Sequence, residues 1–234
     1  MARILMYSTG LDSFILKKLH NFKDEECLFV QLGTDENEME EDLLEHQSPN
    51  VKSAFMPLDG FELPNKIIPF RNHFLALMAA QMATEIYFGF TAGDTTRDKD
   101  YVFKAQMEGI LNYFIGVPDK SPFAGTGDHY QIVMPFKDMT KVEIVREYLL
   151  AGHKAEDLFK ASVSCYEGSE IPCGKCRSCL RKYVALTLNE IDCTGRFAVN
   201  PKRYLKDFLK ESKKKDRKTE IKDIEKCIHI QKRF

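Results

Sequence analysis

Short apolar runs and stretches of helical spacing take turns along this chain. Residues 3–7 (RILMY) form an apolar run that stops at Ser-Thr-Gly and reads as a buried strand feeding a turn. Residues 12–22 follow, with Phe14, Ile15, Leu19 and Phe22 spaced for one helical face. Residues 27–33 (CLFVQLG) make a second strand, the acidic stretch 36–46 reads as a helix, and residues 53–58 (SAFMPL) make a third strand. An Ala-, Met- and Leu-rich helix is expected over 71–87, running into the strand-like IYFGFTAG. A helix over 102–114 and a strand over 131–136 come next. The helix over 140–150 is opened by Thr140 with Glu143 three residues on, a capping-box pattern. A last helix, 177–191, follows a cysteine cluster. Strands alternating with helices imply crossover units, and so an α/β fold: a Rossmann-like parallel sheet with helices on both faces.

Composition narrows the class. With 44% hydrophobic and 29% charged residues in a chain of 234, one domain with an appendage is expected. No segment reaches the roughly 18 apolar residues of a membrane span, and the first residues turn polar too quickly for a secretion signal. A cytoplasmic protein with mostly reduced cysteines is the expectation. Three segments are read: a nucleotide-binding α/β part over 1–155, a cysteine-rich part over 156–192, and a basic extension over 193–234. The net charge of −1 conceals an asymmetry, because from Arg196 onward there are 14 Lys and Arg against 6 Asp and Glu. Such a tail, with its KESKKKDRK run and terminal QKRF, is suited to neutralising nucleic-acid phosphates. It is equally suited to a solvated helix face or to docking on the acidic body.

Two patterns carry chemistry. The first strand-turn-helix contains Ser8-Thr9-Gly10-Leu11-Asp12-Ser13, a turn that exposes consecutive backbone N–H groups beside the positive end of a helix dipole. That is an anion site suited to nucleotide phosphates, and Asp12 beside a phosphate calls for Mg²⁺ or acts as a helix cap. No GxxxxGK[ST] run is present, so this is not the common phosphate loop. The second pattern is Cys165, Cys173, Cys176 and Cys179, the last three two residues apart. Four thiolates aimed at one centre suit a tetrahedral zinc ion with no open position, a structural site rather than a catalytic one. A disulfide pair or free thiols is the alternative. Cys27, Cys193 and Cys227 read as ordinary thiols.

Taken together, these residues resemble a known family. STGLDS resembles the SGGxDS pyrophosphate loop of the N-type ATP pyrophosphatases, with Gly10 retained and Thr9 in place of the first glycine. SCYEG…CGKCRSCLRK resembles the zinc signature of the QueC family, the 7-cyano-7-deazaguanine synthases. Pro69, Arg71, Asn72, Phe74 and Leu75 match that family's PxRN segment, and Pro135, Thr140, Lys141 and Glu143 match its Pro…TKxEI segment. The matches fall in the family's order over about residues 3 to 187.

The resemblance implies an adenine nucleotide alpha hydrolase-like fold with a C-terminal zinc-binding helical segment. It implies ATP-dependent conversion of 7-carboxy-7-deazaguanine and ammonia into the nitrile 7-cyano-7-deazaguanine, with one structural Zn²⁺, ATP with Mg²⁺, and a homodimer. In that reading Ser8, Thr9, Gly10, Leu11, Asp12 and Ser13 hold the nucleotide, and Arg71, Asn72 and Asp94 face the substrate. Asp12, Arg71 and Lys141 carry the chemistry, and the four cysteines hold the metal. Two departures from the family weaken the assignment of the acid. The YGQRH-like segment is reduced to Gln31 and Gly33, and the YPDCR-like segment is replaced by FTAGDTTRDKDYVF, where Arg97, Asp98 or Asp100 are candidate replacements. The extension beyond about residue 192 is also longer than is usual in the family. A related enzyme that stops at the amide or takes another acid, and a nucleic-acid-binding zinc module, remain alternatives.

Overall fold

The computed structural model describes residues 2–34, 37–64, 67–113, 129–160, 162, 165, 167 and 171–230. Five strands form one sheet: β1 (Arg3–Met6), β2 (Cys27–Gln31), β3 (Lys52–Phe55), β4 (Glu85–Tyr87) and β5 (Gln131–Val133). All pairings are parallel and the order is β3-β2-β1-β4-β5. The crossovers carry helices α1 (Leu11–Leu19), α2 (Asn37–Gln47), α3 (Arg71–Ala79) and α4 (Tyr101–Tyr113), and β5 is followed by α5 (Lys141–Leu150). Beyond α5 the described residues add the helices α6 (Asp157–Lys160), α7 (Arg177–Thr187), α8 (Leu205–Lys214) and α9 (Lys218–Ile230).

Covering a parallel sheet on both faces requires its central strands to be apolar at every position. In β1, Ile4 and Met6 face one core while Leu5 and Tyr7 face the other; in β2, Leu28 and Val30 oppose Cys27 and Phe29. The first core is closed by Ala76 and Ala79 of α3 with Phe103, Met107 and Leu111 of α4. The second is closed by Phe14 and Ile15 of α1, Ile144, Val145 and Tyr148 of α5, and Ala185 and Leu186 of α7. Each such side chain fully removed from water contributes about 1.5–3 kcal/mol, so the central strands anchor the loops that leave their carboxyl ends.

One sequence expectation changes. The helix expected over 71–87 ends at Ala79, and β4 begins only at Glu85. Thr84 breaks the apolar run between them, and its N–H bonds the Ala2 carbonyl at 3.1 Å, joining the edge of the sheet. The expected helix limits at 36 and 114, and the final QKRF, lie outside the described residues. The basic extension, for which a helix face or docking on the body was one of the readings, forms two docked helices. Leu205 and Phe208 of α8 and Ile224 and Cys227 of α9 share one apolar cluster with Cys165, Cys173, Cys179, Leu180 and Val184. Some of its charges pair internally, Lys213 with Glu225 at 2.8 Å and Lys215 with Glu211 at 3.0 Å. Burial pushes the Cys27 and Cys227 thiols up to about 12, so both are inert core residues.

Candidate active site and metal centre

The strand order reverses direction between β1 and β4, and in open α/β sheets ligands bind in the crevice outside that switch point. A cavity of about 300 Å³ lies there, lined by Ser8, Gly10, Asp12 and Ser13 from the turn after β1 and by Gly89 and Asp94 from the segment after β4. Arg71 and Asn72, the first two residues of α3, line it as well. The sheet topology thus brings the phosphate turn, the α3 start and Asp94 around one space.

The turn itself is tightly built. Gly10 is the N-cap of α1 with no side-chain cap, which leaves the first-turn N–H groups of the helix without intrahelical partners. Ser13 Oγ donates to the Gly10 carbonyl at 3.1 Å and accepts from the Ser8 N–H at 3.3 Å, which fixes the turn's shape. Thr9 and Leu11 turn inward, 1% and 4% exposed, so any contribution to a ligand comes from their backbone. Asp12 pairs through Oδ2 with Lys141, the first residue of α5, while its Oδ1 is buried and has no hydrogen-bond partner. Thr140 and Glu143 form the expected capping box, Glu143 N–H to Thr140 Oγ1 at 3.2 Å and Thr140 N–H to Glu143 Oε2 at 2.7 Å, and thereby set the position of Lys141.

Two of the five described non-glycine residues with positive φ lie beside the cavity. Thr9 has φ 51° and Phe70 has φ 59°, both in the left-handed region, and each sits just before a helix whose first residues face the cavity. A β-branched residue held there costs of order 1–3 kcal/mol, and the Thr9 hydroxyl is also buried without a partner. Replacing Thr9 by glycine is therefore expected to stabilise the fold by about 1 kcal/mol, a rise in Tm of about 2–4 °C. Calorimetry reads this directly; a fall in Tm would show that the threonine's packing outweighs its strain.

Asp94 is held by three groups. Its Oδ2 accepts from the Thr91 N–H at 2.9 Å, its Oδ1 accepts from Lys99 at 3.0 Å, and Lys141 adds its charge. Burial alone would raise its pKa, but Lys99 and Lys141 outweigh burial and hold the carboxyl well below the usual range. Lys99 and Gly89 are residues that the sequence reading missed. Gly89 carries a legible signal, a glycine at a strand end: a Cβ there would lie 3.2 Å from Ser13 N, so its absence lets α1 approach the sheet edge. Lys99 has no such signal. Of the candidate replacements near it, Asp98 accepts a 2.7 Å hydrogen bond from Asn72 Nδ2, and Asp100 caps α4 through the Phe103 N–H at 2.8 Å. Both are thus spent on local structure. His73, beside Asn72, sits edge-on to Phe103 at 4.9 Å.

The four cysteines meet away from the cavity. Their sulfur atoms all lie within 4.8 Å of one another. A tetrahedron with 2.3 Å metal–sulfur bonds has edges of about 3.8 Å, so a small contraction seats a zinc ion. The set also has the N–H···S bonds of a thiolate knuckle: Cys173 N–H to Cys165 Sγ at 3.3 Å, Cys176 N–H to Cys173 Sγ at 3.3 Å, and Cys179 N–H to Cys176 Sγ at 3.4 Å. Gly174 has φ 80°, and a Cβ there would run into the Val199 carbonyl. The hydrogen bond to Cys176 and burial push the Cys179 thiol up, and a divalent cation at this point reverses that preference. All seven cysteines are free of disulfides.

Comparisons with known proteins decide the family. The family model "Queuosine biosynthesis protein QueC" matches residues 31–190. The chain belongs to the QueC family. A 7-cyano-7-deazaguanine synthase of Methanothermobacter thermautotrophicus is 43% identical over 68 residues, 29% of each chain. One of Synechococcus elongatus is 32% identical over 144 residues, 56% of this chain and 57% of the relative. One of Leptospira biflexa is 31% identical over 137 residues, 56% of this chain and 52% of the relative. The chain thus spans about half the length, or less, of these relatives. The QueC match leaves out both the Ser8–Ser13 turn and the helices α8 and α9.

Proposed function

We propose that this chain is an ATP-dependent ligase that activates the carboxylate of a 7-deazapurine acid, 7-carboxy-7-deazaguanine, and carries it with ammonia to the nitrile. The observation that supports this most is the switch-point cavity, where an open helix N-terminus faces Asp12 with its unsatisfied Oδ1, in a member of the QueC family. A carboxylate oxygen is a poor leaving group. Attack of the carboxylate on the α-phosphate of ATP forms an acyl–O–P bond, expels pyrophosphate and makes AMP the leaving group. Ammonia then displaces AMP, forming the C–N bond and losing a proton to give the amide. A second ATP is attacked at its α-phosphate by the amide oxygen, expelling pyrophosphate; AMP then departs with that oxygen while the nitrogen gives up its two protons, and the C≡N bond forms.

Each part of this sequence has a group to serve it. The first-turn N–H groups of α1, that of Ser13 among them, and the Ser8 hydroxyl bind phosphate oxygens. Lys141 neutralises charge as it builds on the leaving pyrophosphate. Arg71 and Asn72 orient the acid, Arg71 through its fork of donors. The buried Asp12 Oδ1 fits a hard divalent cation, and Mg²⁺ bound there would lower the charge of the phosphates it touches. The four cysteines would hold Zn²⁺ as scaffold. A domain split near residues 155 and 192, and a homodimer, complete the proposal.

A second reading ends at the amide or uses another acid. It is favoured by the segment after Asp94, where Asp98 and Asp100 are committed to Asn72 and to the α4 cap. One experiment separates the two: incubation of the metal-loaded protein with ATP, ammonium and 7-carboxy-7-deazaguanine, read by product mass. A nitrile mass supports the first reading and an amide mass the second. No ATP-dependent product from this acid overturns the first.

A further inference from the structure

Charge is unevenly supplied inside the switch-point cavity. Its lining holds three carboxylates, Asp12, Glu40 and Asp94, and two cationic side chains, Arg71 and Lys99. An anionic substrate entering this space meets short-range repulsion that the two lining cations must offset. Lys99 is held in place from several sides. Its Nζ donates to Asp94 Oδ1 at 3.0 Å and lies 5.5 Å from the centre of the Phe90 ring. Asp94 is itself fixed, its Oδ2 accepting from the Thr91 N–H at 2.9 Å and from the Thr91 hydroxyl at 3.3 Å. Behind it, Lys137 donates to the Thr91 and Asp94 carbonyls at 3.4 and 3.3 Å and so secures the backbone of the same loop. The residue before Lys99, Asp98, accepts from Asn72 Nδ2 at 2.7 Å, and Asn72 is 3% exposed. The loop that carries Lys99 is thereby bolted to the start of α3, where Arg71 is the first residue.

We infer that Lys99, together with Arg71, binds the carboxylate of the acid substrate and selects the acid over uncharged analogues. This inference rests on the ligase reading of the cavity, and its test keeps the two apart. An ammonium has three donors. Asp94 takes one, and among the described residues no other group accepts from Lys99, so two remain for a ligand. The Lys99 side chain is 21% exposed, so a charge-assisted bond made there is screened less than one at the open surface. The phosphates have donors of their own in the first turn of α1 and in Lys141 beside Asp12. On the α3 side, Asn72 already gives one amide hydrogen to Asp98. The bond to Asp94 also sets the ammonium in position before a ligand arrives, which reduces the side-chain entropy lost on binding.

The test uses titration calorimetry on the full chain, with wild type, Lys99→Met and Lys99→Arg each titrated with 7-carboxy-7-deazaguanine, the corresponding uncharged amide, and ATP. Lys99→Met is expected to weaken the acid by about tenfold or more, the loss of one charge-assisted hydrogen bond. The amide and ATP should each stay within about threefold of wild type. Lys99→Arg, which keeps the charge, is expected to hold the acid within about threefold. If Lys99→Met melts well below wild type, Lys99→Gln, which can still donate to Asp94, carries the same comparison. Equal losses of acid and amide would overturn the inference, because a disturbed fold does not discriminate by charge. An unchanged preference for the acid, or a loss confined to ATP, would overturn it as well. The ligase reading fails differently: a wild type that binds neither acid nor amide removes that reading, and the role of Lys99 with it.

Discussion

Replacing Cys179 by serine is expected to abolish the zinc binding proposed for the four cysteines and to unfold the C-terminal third of the chain. Structural zinc sites supply on the order of 10 kcal/mol of apparent binding energy linked to folding, more than the whole net stability of many domains. Here the linkage is direct because the cysteines are also core. Cys165, Cys173 and Cys179 sit in the same apolar cluster as Phe197, Leu205, Phe208 and Ile224, which seat α8 and α9. Cys176 is the N-cap of α7, with its sulfur accepting from the Cys179 N–H. A lost thiolate therefore loosens the α7 start, then the Arg181–Glu220 pair, then α9. The expected results are a zinc content falling from one per chain to near zero and a Tm drop above about 10 °C. Chelation of the wild type should reproduce them. A serine variant with unchanged Tm and no metal in either protein would sink the metal assignment.

What the chain makes legible follows from where the information is local. Residues 3–7 and 27–33 are apolar at nearly every position, which only a strand covered on both faces requires, and they form β1 and β2. Thr140 with Glu143 encodes its own cap, and the CxxCxxC spacing encodes its own cluster. The end of α3 is less legible, because Ala80, Met82 and Ala83 continue a helical composition past its last residue, Ala79, almost to Glu85, where pairing with β1 begins. The docking of the extension depends on residues far away in sequence. Leu205, Phe208, Ile224 and Cys227 are sparse among lysines, and their partners lie on α7. Lys99 is invisible for a different reason: it is close to Asp94 in sequence, but the irregular loop after β4, not any helical or strand period, brings the two together. Electrostatic residues at the site are thus the last to be read, since charge pairing has no period.

Replacing Lys141 by methionine is expected to separate activity from stability. A lysine at the first position of a helix faces the positive end of the dipole, a misplacement worth about 0.3–1 kcal/mol, and its side chain remains 25% exposed. Nothing in the fold of α5 needs the charge, because the cap is made by Thr140 and Glu143. Asp12, in the first turn of α1, offsets that cost, and with its side chain 21% exposed the pair is worth at most about 1 kcal/mol to the fold. The Tm of Lys141→Met should therefore stay within about 3 °C of wild type. Turnover should not. If Lys141 meets charge that develops on the departing pyrophosphate, its loss costs about 10²–10³-fold in kcat, seen as pyrophosphate release with ATP and the acid. The double variant Asp12→Asn with Lys141→Met tells whether the two act as a unit: coupled groups lose no more together than the worse one alone. A Lys141→Met protein within threefold of wild-type kcat would make the lysine a mere counter-ion of Asp12. In that case the phosphate charge would fall to the α1 N-terminus alone.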